Sequence, residues 1–336
     1  MNILLTGGTG YIGSHTALIF IKAGHNVFLL DNLSNSNLTV VNRLEKITRQ
    51  SVFFVKEDVR NTKSLSKILN DNKIEAVVHF AGLKSVTESL IKPIDYFDSN
   101  IGGVISLLQA MQENNLKNLV FSSSAAVYGE PQYLPLDENH PTSPINPYGR
   151  TKLYIENLLK DLTVSDKAWR IASLRYFNPA GSDQSGLIGE SPKVAATNLM
   201  PLICNAVSNE NIFLKIYGND YATIDGTGVR DYIHVLDLAD GHLAALKWLF
   251  DGNIGFSAFN LGSGRGFSVL ELIKSFESVN NCKIPYKFDS RRLGDTASCY
   301  ASAEKAYKVL KWKASRDLKE MCKSAWAWHT FYLNNL

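Results

Sequence analysis

The chain has 336 residues, 45% of them apolar and 20% charged, with a formal net charge of +3 and a mean hydropathy of −0.08. That is enough chain for one large or two modest packed domains. It contains neither the roughly 20-residue apolar run that spans a bilayer nor a dense Lys/Arg block, so no membrane and no nucleic-acid partner is expected.

Strand character begins at residue 2, which leaves no room for a signal peptide ahead of it. Cys204, Cys282, Cys299 and Cys322 form no C-x-x-C pair and have no histidines at zinc spacing. Free thiols, no metal and a cytoplasmic location are therefore expected. His79, inside the apolar run 76–80, reads as a packed strand residue rather than a ligand.

The apolar run Ile3-Leu4-Leu5-Thr6 leads into Gly7, Gly10 and Gly13 at the spacing G-x-x-G-x-x-G. Ile12, Thr16, Ile19, Phe20 and Ala23 recur at helical spacing, Gly24 ends the helix, and 27–30 reads as a second buried strand closed by Asp31. This is a βαβ unit suited to a dinucleotide. Gly7 suits a tight turn, Gly10 close approach of a pyrophosphate, and Gly13 close helix–strand packing. The helix amino terminus faces the phosphates. Asp31 can accept from an adenosine ribose and would repel a 2′-phosphate. With no Arg between it and Arg43, NAD is expected rather than NADP.

Further strands are predicted at 51–55, 76–80, 118–121 and 170–177, alternating with helices near 62–72, 93–114 and 148–164. The fold class is thus α/β, a doubly wound parallel (Rossmann) sheet over 1–177. From 178 to 336 the alternation loosens. Helical patches at 193–208, 237–250, 268–280, 303–310 and 317–331 predict a smaller mixed α/β substrate lobe, with segments free to interleave. Ligands on such a sheet bind beyond the carboxyl ends of the strands, where Gly7, Asp31, Asp58, Gly82 and Ser124 fall. Asp58 can accept from an adenine amino group or stand as a solvated turn acid.

Tyr148 and Lys152 are four apart at the start of a predicted helix and share a face. A lysine ammonium favours the phenolate, so a lowered Tyr148 pKa is expected. Ser124 can hydrogen-bond the same substrate oxygen. Together they make a base, its tuner and an orienter for a hydroxyl beside NAD. Tyr307 and Lys311 repeat the spacing with no strand-end serine ahead of them, so order along the chain carries the reading.

The chain resembles the extended short-chain dehydrogenase/reductases, and among them the UDP-galactose 4-epimerase family. The likeness runs through TGGTGYIGSHT (6–16), LDNLSNS (30–36), HFAGLKSV (79–86), FSSSAAVYG (121–129), NPYGRTK (146–152), LRYFNPAG (174–181), NLMP (198–201), the long segment 218–242, and RRLGD (291–295). It implies tightly bound NAD, a transient 4-keto sugar and inversion at C4 of a UDP-hexose, with Tyr148 taking the proton of the 4-hydroxyl. Tyr11, Ile12, Asp31, Asn32, Asn35, Ser36, Asp58, Val59, Phe80, Ala81, Gly82, Lys84, Ser124, Tyr148, Lys152 and Phe177 match NAD contacts. Lys84, Ser124, Tyr148, Asn178, Asn198, Leu199, Lys215, Ile216, Tyr217, Arg230, Arg292 and Asp295 match UDP-sugar contacts, the two arginines on the diphosphate. The other reading of Arg230 is an ion pair with Asp231.

Four residues past Asp295, where many of these epimerases have Tyr, stands Cys299. The smaller side chain implies room for an N-acetyl group, and thus UDP-GlcNAc and UDP-GalNAc as further substrates, unless Tyr300 fills the space. Nucleotide-sugar 4,6-dehydratases and decarboxylases carry an acid after the strand-end Ser/Thr, whereas Ala125 and Ala126 follow Ser124. A non-catalytic NAD sensor would need none of Ser124, Tyr148 and Lys152. The resemblance also implies a homodimer, through helices near 93–114 and after Tyr148.

Overall fold

In a computed structural model, which describes residues 1–191, 197–209, 211–292 and 295–335, the apolar runs pair as parallel strands. They are β1 (Asn2–Thr6), β2 (Asn26–Asp31), β3 (Phe53–Lys56), β4 (Ala76–His79), β5 (Asn118–Ser124) and β6 (Arg170–Tyr176). Helices α1 (Tyr11–Lys22), α2 (Thr39–Thr48), α3 (Thr62–Asp71), α4 (Val86–Ile91), α5 (Pro93–Tyr96), α6 (Gly103–Glu113) and α7 (Pro147–Ser165) lie between them. Side chains alternate across the sheet, so Ile3 and Leu5 enter one core and Leu4 the other. Both faces are covered, which is why these strands read as unbroken apolar runs.

The single helix expected over 93–114 is composite. Pro93 lacks an N–H and starts α5 afresh, and residues Phe97–Gly102 form a π-helical turn before α6. Helix α2, which buries Val41 and Leu44 three residues apart, falls where no element is predicted after the polar loop. Helix α7 starts where the Asn146 side chain accepts from Gly149 N at 2.8 Å with Pro147 at the first position.

After β6 the chain builds a second lobe. It contains β7 (Asn178–Ala180), α8 (Leu199–Ser208), β8 (Leu214–Tyr217) and β9 (Val229–His234), then α9 (Val235–Phe250) and β10 (Gly255–Leu261). Next come β11 (Gly266–Ser268), α10 (Val269–Asn280), β12 (Tyr286–Asp289), β13 (Ser298–Cys299) and α11 (Leu318–Leu333). Not all of this stretch leaves the first lobe. Strand β10 pairs in parallel with β6, giving a seven-stranded sheet of order β10-β6-β5-β4-β1-β2-β3, and α9 packs on α1. The smaller β11-β9-β13 sheet, with β7 on β9, sits over its own core of α8, α10 and α11 side chains. Residues 193–196 of the helix expected over 193–208, and Leu293 and Gly294 of RRLGD, lie outside the described residues.

Candidate active site

The glycine turn sits at the carboxyl end of β1. Gly7 has φ +68° and its N–H donates to Leu30 O at 2.7 Å. A Cβ there would come within 2.7 Å of Ala81 N, and one on Gly13 within 2.4 Å of Gly7 O. Side chains are excluded from this cradle, and backbone is what a pyrophosphate needs to approach. Tyr11 and Ile12 open α1, and the Tyr11 hydroxyl donates to Gly181 O at 2.6 Å, tying the turn to the second lobe. Asp31 is 8% exposed and accepts from Thr9 N at 3.2 Å, Leu33 N at 2.9 Å and Ser36 Oγ at 2.9 Å. A carboxylate has about four acceptor positions, so capacity remains for a ribose hydroxyl. Asn35 lies on the exposed loop beside Ser36.

Asp58, at the end of β3, is held by Arg60 and by Asn32 Nδ2 at 3.2 Å, and the Arg60 hydrogen bonds keep its carboxyl well below the usual range. Val59 and Phe177 are buried side chains, 7% and 5% exposed. Phe80, Ala81, Gly82 and Lys84 follow β4. That loop is clamped by Asn100, which accepts from Leu83 N at 2.7 Å and donates to Leu83 O and Thr151 Oγ1, both at 3.1 Å. These residues fit a dinucleotide: a bare backbone cradle, a helix amino terminus and an acid at the next strand end.

Ser124, Tyr148 and Lys152 meet beside that cradle. Ser124 lies near enough to the Tyr148 hydroxyl to favour its ionised form, and the Ser124 Oγ accepts from Ala126 N at 3.1 Å. Lys152, 5% exposed, donates Nζ to Ser122 O at 2.7 Å and lies 5.9 Å from the Tyr148 ring centre. The expected lowering of the Tyr148 pKa is not found. Burial raises it, against a smaller lowering by Ser124. Burial likewise pushes Lys152 down to about 8, with Glu156 opposing. Desolvation outweighs pairing at both groups. His79 is buried, bonded to Thr6 Oγ1 at 2.7 Å and lowered to about 3 by burial and then Lys152, so it is a neutral packed residue.

Most of the residues expected to meet the UDP-sugar gather on the second lobe. Arg230 pairs with Asp295 at 3.3 Å, not with Asp231. Asp231 is buried and accepts from Ser263 N at 2.7 Å, Ser263 Oγ at 2.6 Å, Gly264 N at 3.0 Å and Ala301 N at 3.1 Å. The Arg292 guanidinium lies 3.9 Å over the Tyr217 ring, and Lys215 reaches Asp289 at 3.2 Å. Ile216 points into the lobe's core, so only its backbone can meet a ligand. Asn178 is exposed at the start of β7, and Asn198 and Leu199 stand at the start of α8. Cys299, opposite Arg230 in register, packs against the buried cluster that contains Val127, Tyr128 and Phe177, and burial pushes its thiol up to about 11. The Tyr300 ring lies against Gly266.

Three residues that support the site carried no sequence signal. Glu156, one turn beyond Lys152, accepts from Ser123 Oγ at 2.7 Å, Ser173 Oγ at 3.0 Å and Arg175 NH2 at 2.7 Å. It fixes α7 to β5 and β6. Asn100 and Glu190 act between distant segments.

A family model described as GDP-mannose 4,6 dehydratase matches residues 4–325. The chain is 49% identical to a UDP-glucose 4-epimerase of Dictyostelium discoideum, over 99% of this chain and 96% of that one. It is also similar to the UDP-glucose 4-epimerase of Stenotrophomonas maltophila, crystallised with NAD and formylated UDP-arabinopyranose. The identity there is 45% and the TM-score 0.97, with both chains covered in full. The Bifidobacterium longum enzyme, solved with NAD+ and UDP, is 44% identical with a TM-score of 0.96, again with full coverage of both chains. With the glycine cradle, the strand-end acid and the Ser-Tyr-Lys cluster in place, the chain belongs to the UDP-glucose 4-epimerase family of extended short-chain dehydrogenase/reductases.

Proposed function

We propose that this protein is a UDP-hexose 4-epimerase that interconverts UDP-glucose and UDP-galactose on tightly held NAD. One juxtaposition carries the reading: Ser124, Tyr148 and Lys152 converge beside a backbone cradle that excludes side chains. The Gly7–Gly13 turn and Asp31 would hold NAD, which when bound would supply hydride exchange at C4. The protein's own groups handle the proton and the orientation. Tyr148 accepts the 4-hydroxyl proton at its phenolic oxygen and returns it to the same sugar oxygen once the keto sugar has turned, Ser124 holds that sugar oxygen, and the Lys152 ammonium offsets part of the cost of a buried phenolate. Arg230 and Arg292 anchor the diphosphate while the hexose turns. A dehydratase needs an acid after Ser124; the short 3₁₀ turn Ala125–Val127 has none.

Purified protein without added NAD should convert UDP-galactose to its C4 epimer. Failure even with NAD supplied would overturn the assignment. The small side chain at Cys299, with the Tyr300 ring against Gly266, supports use of UDP-GlcNAc and UDP-GalNAc too. Cys299→Tyr should lower kcat/KM for the N-acetylated pair by on the order of tenfold and spare the plain pair. Undiminished N-acetyl activity in that variant would overturn it. We also infer a cytoplasmic homodimer. Leu90 (51%), Ile91 (74%) and Ile94 (81%) are exposed on helices that pack against α7, where Tyr154 meets Phe97. A monomer by sedimentation would refute the dimer.

A further inference from the structure

Glu190 joins the two sides of the cleft. Its Oε1 accepts from Lys84 Nζ at 2.9 Å and from Asn198 Nδ2 at 2.6 Å. Lys84 follows β4 on the dinucleotide side, and Asn198 precedes α8 on the second lobe. The glutamate side chain is 10% exposed and the lysine side chain 48%, so the acid is the buried anchor and the lysine the reaching arm.

The main chain around Glu190 is held as firmly. Its carbonyl accepts from Trp328 Nε1 at 3.0 Å. Gly189 lies against that indole so closely that a Cβ would come within 2.3 Å of it. Arg43 stacks on the same ring at 5.1 Å. Glu190 is therefore delivered to the cleft by fixed backbone, not by a long free arm.

The orientation of Asn198 shows what that anchor does. Asn198 is the N-cap of α8, and asparagine is among the side chains best suited to accept from first-turn N–H groups. It makes no such bond here. Pro201 removes one of the two usual donors, leaving Met200 N–H as the local alternative. The Asn198 amide is instead turned to Glu190.

We infer that Glu190 is a positioning residue for nucleotide-sugar binding, holding Asn198 away from its own helix and Lys84 across the cleft. The inference rests on the reading of Lys84, Asn198 and Leu199 as substrate contacts. Without the carboxylate, Asn198 swings to Met200 N–H and Lys84 turns to solvent, so the substrate must reorder both groups when it binds.

The test uses the full chain as purified, with Glu190→Ala and Glu190→Gln. KM and kcat are measured with UDP-galactose, Kd with UDP by calorimetry, and Tm for each variant. In Glu190→Ala, KM and Kd should each rise on the order of tenfold with kcat changed by less than about twofold. Glu190→Gln keeps an amide oxygen that can accept from both donors, and should stay within about threefold of wild type. A lowered Tm with unchanged KM and Kd would overturn the inference. So would tighter UDP binding in Glu190→Ala, since that would make the acid a repelling charge. A wild-type protein that binds UDP but turns over no UDP-sugar would sink the epimerase reading alone, because the UDP calorimetry still reads Glu190.

Discussion

Two Tyr-x-x-x-Lys pairs share this chain and meet opposite fates. Tyr148 and Lys152 lie in the first turns of α7, with the lysine 5% exposed and its Nζ on Ser122 O at 2.7 Å. Tyr307 is 60% exposed in the π-helical turn Ala306–Leu310. Lys311 follows it with φ 56° and donates Nζ to Lys308 O at 2.9 Å. Four-residue spacing places two side chains on one face only where the backbone is α-helical. A wider turn and a left-handed cap undo that. Even a helical pair is inert until a strand end brings a third group to it. Ser124 does so for Tyr148 because β5 runs parallel to β4 and β6 and ends at the same edge.

The comparison breaks most sharply on activity. Tyr148→Phe should lower kcat by on the order of 10³-fold, the scale of a lost general acid–base, while Tyr307→Phe leaves it unchanged. Equal losses would show that the exposed pair also serves the reaction.

Stability gives the next contrast. Glu156 and Arg175 form a pair 0% and 4% exposed, whereas Glu304 and Lys308, beside Tyr307, are 66% and 67% exposed. Glu156→Ala leaves a buried guanidinium uncompensated and should cost about 3–5 kcal/mol in a denaturant titration. Glu304→Ala should cost at most about 0.5 kcal/mol. Similar midpoints for the two variants would mean that burial is not what separates the regions.

The smallest effect is in the pH dependence of stability. Burial lowers native Lys152 to about 8, below the ordinary lysine value of 10.5 that holds in the unfolded chain. Between those values the unfolded chain binds the extra proton, so stability rises with pH across that window. The Tm of wild type relative to Lys152→Met should therefore climb from about pH 8 toward 10.5 and stay level below 8. A falling difference would contradict the burial argument.

The outline of the first lobe was legible because its rules are local. Parallel strands covered on both faces read as apolar runs, and the Gly7 turn demands a residue without Cβ. The order of Gly7, Asp31, Ser124, Tyr148 and Lys152 could be read because strand ends on a doubly wound sheet share one edge. Several features were not legible. Strand β10 looked like second-lobe chain, since nothing local says which sheet an apolar run will join. The break at Pro93 was masked by apolar periodicity on either side of it. Glu190 meets Lys84 across 106 residues, and Glu156 meets Arg175 across 19, with no periodicity to announce either.

The sequence by itself determined the backbone chemistry: where glycine must stand, which runs become strands, and which side chains arrive at the carboxyl edge. Only the tertiary structure decided protonation, partners and reach. Tyr148 was expected to be lowered by its lysine and is raised by burial. Arg230 is next to Asp231 in the sequence and pairs with Asp295 in the fold. Asn198 could cap its helix and turns to Glu190 instead. Desolvation and long-range pairing depend on what the rest of the chain packs around a group, and residue order alone does not specify that.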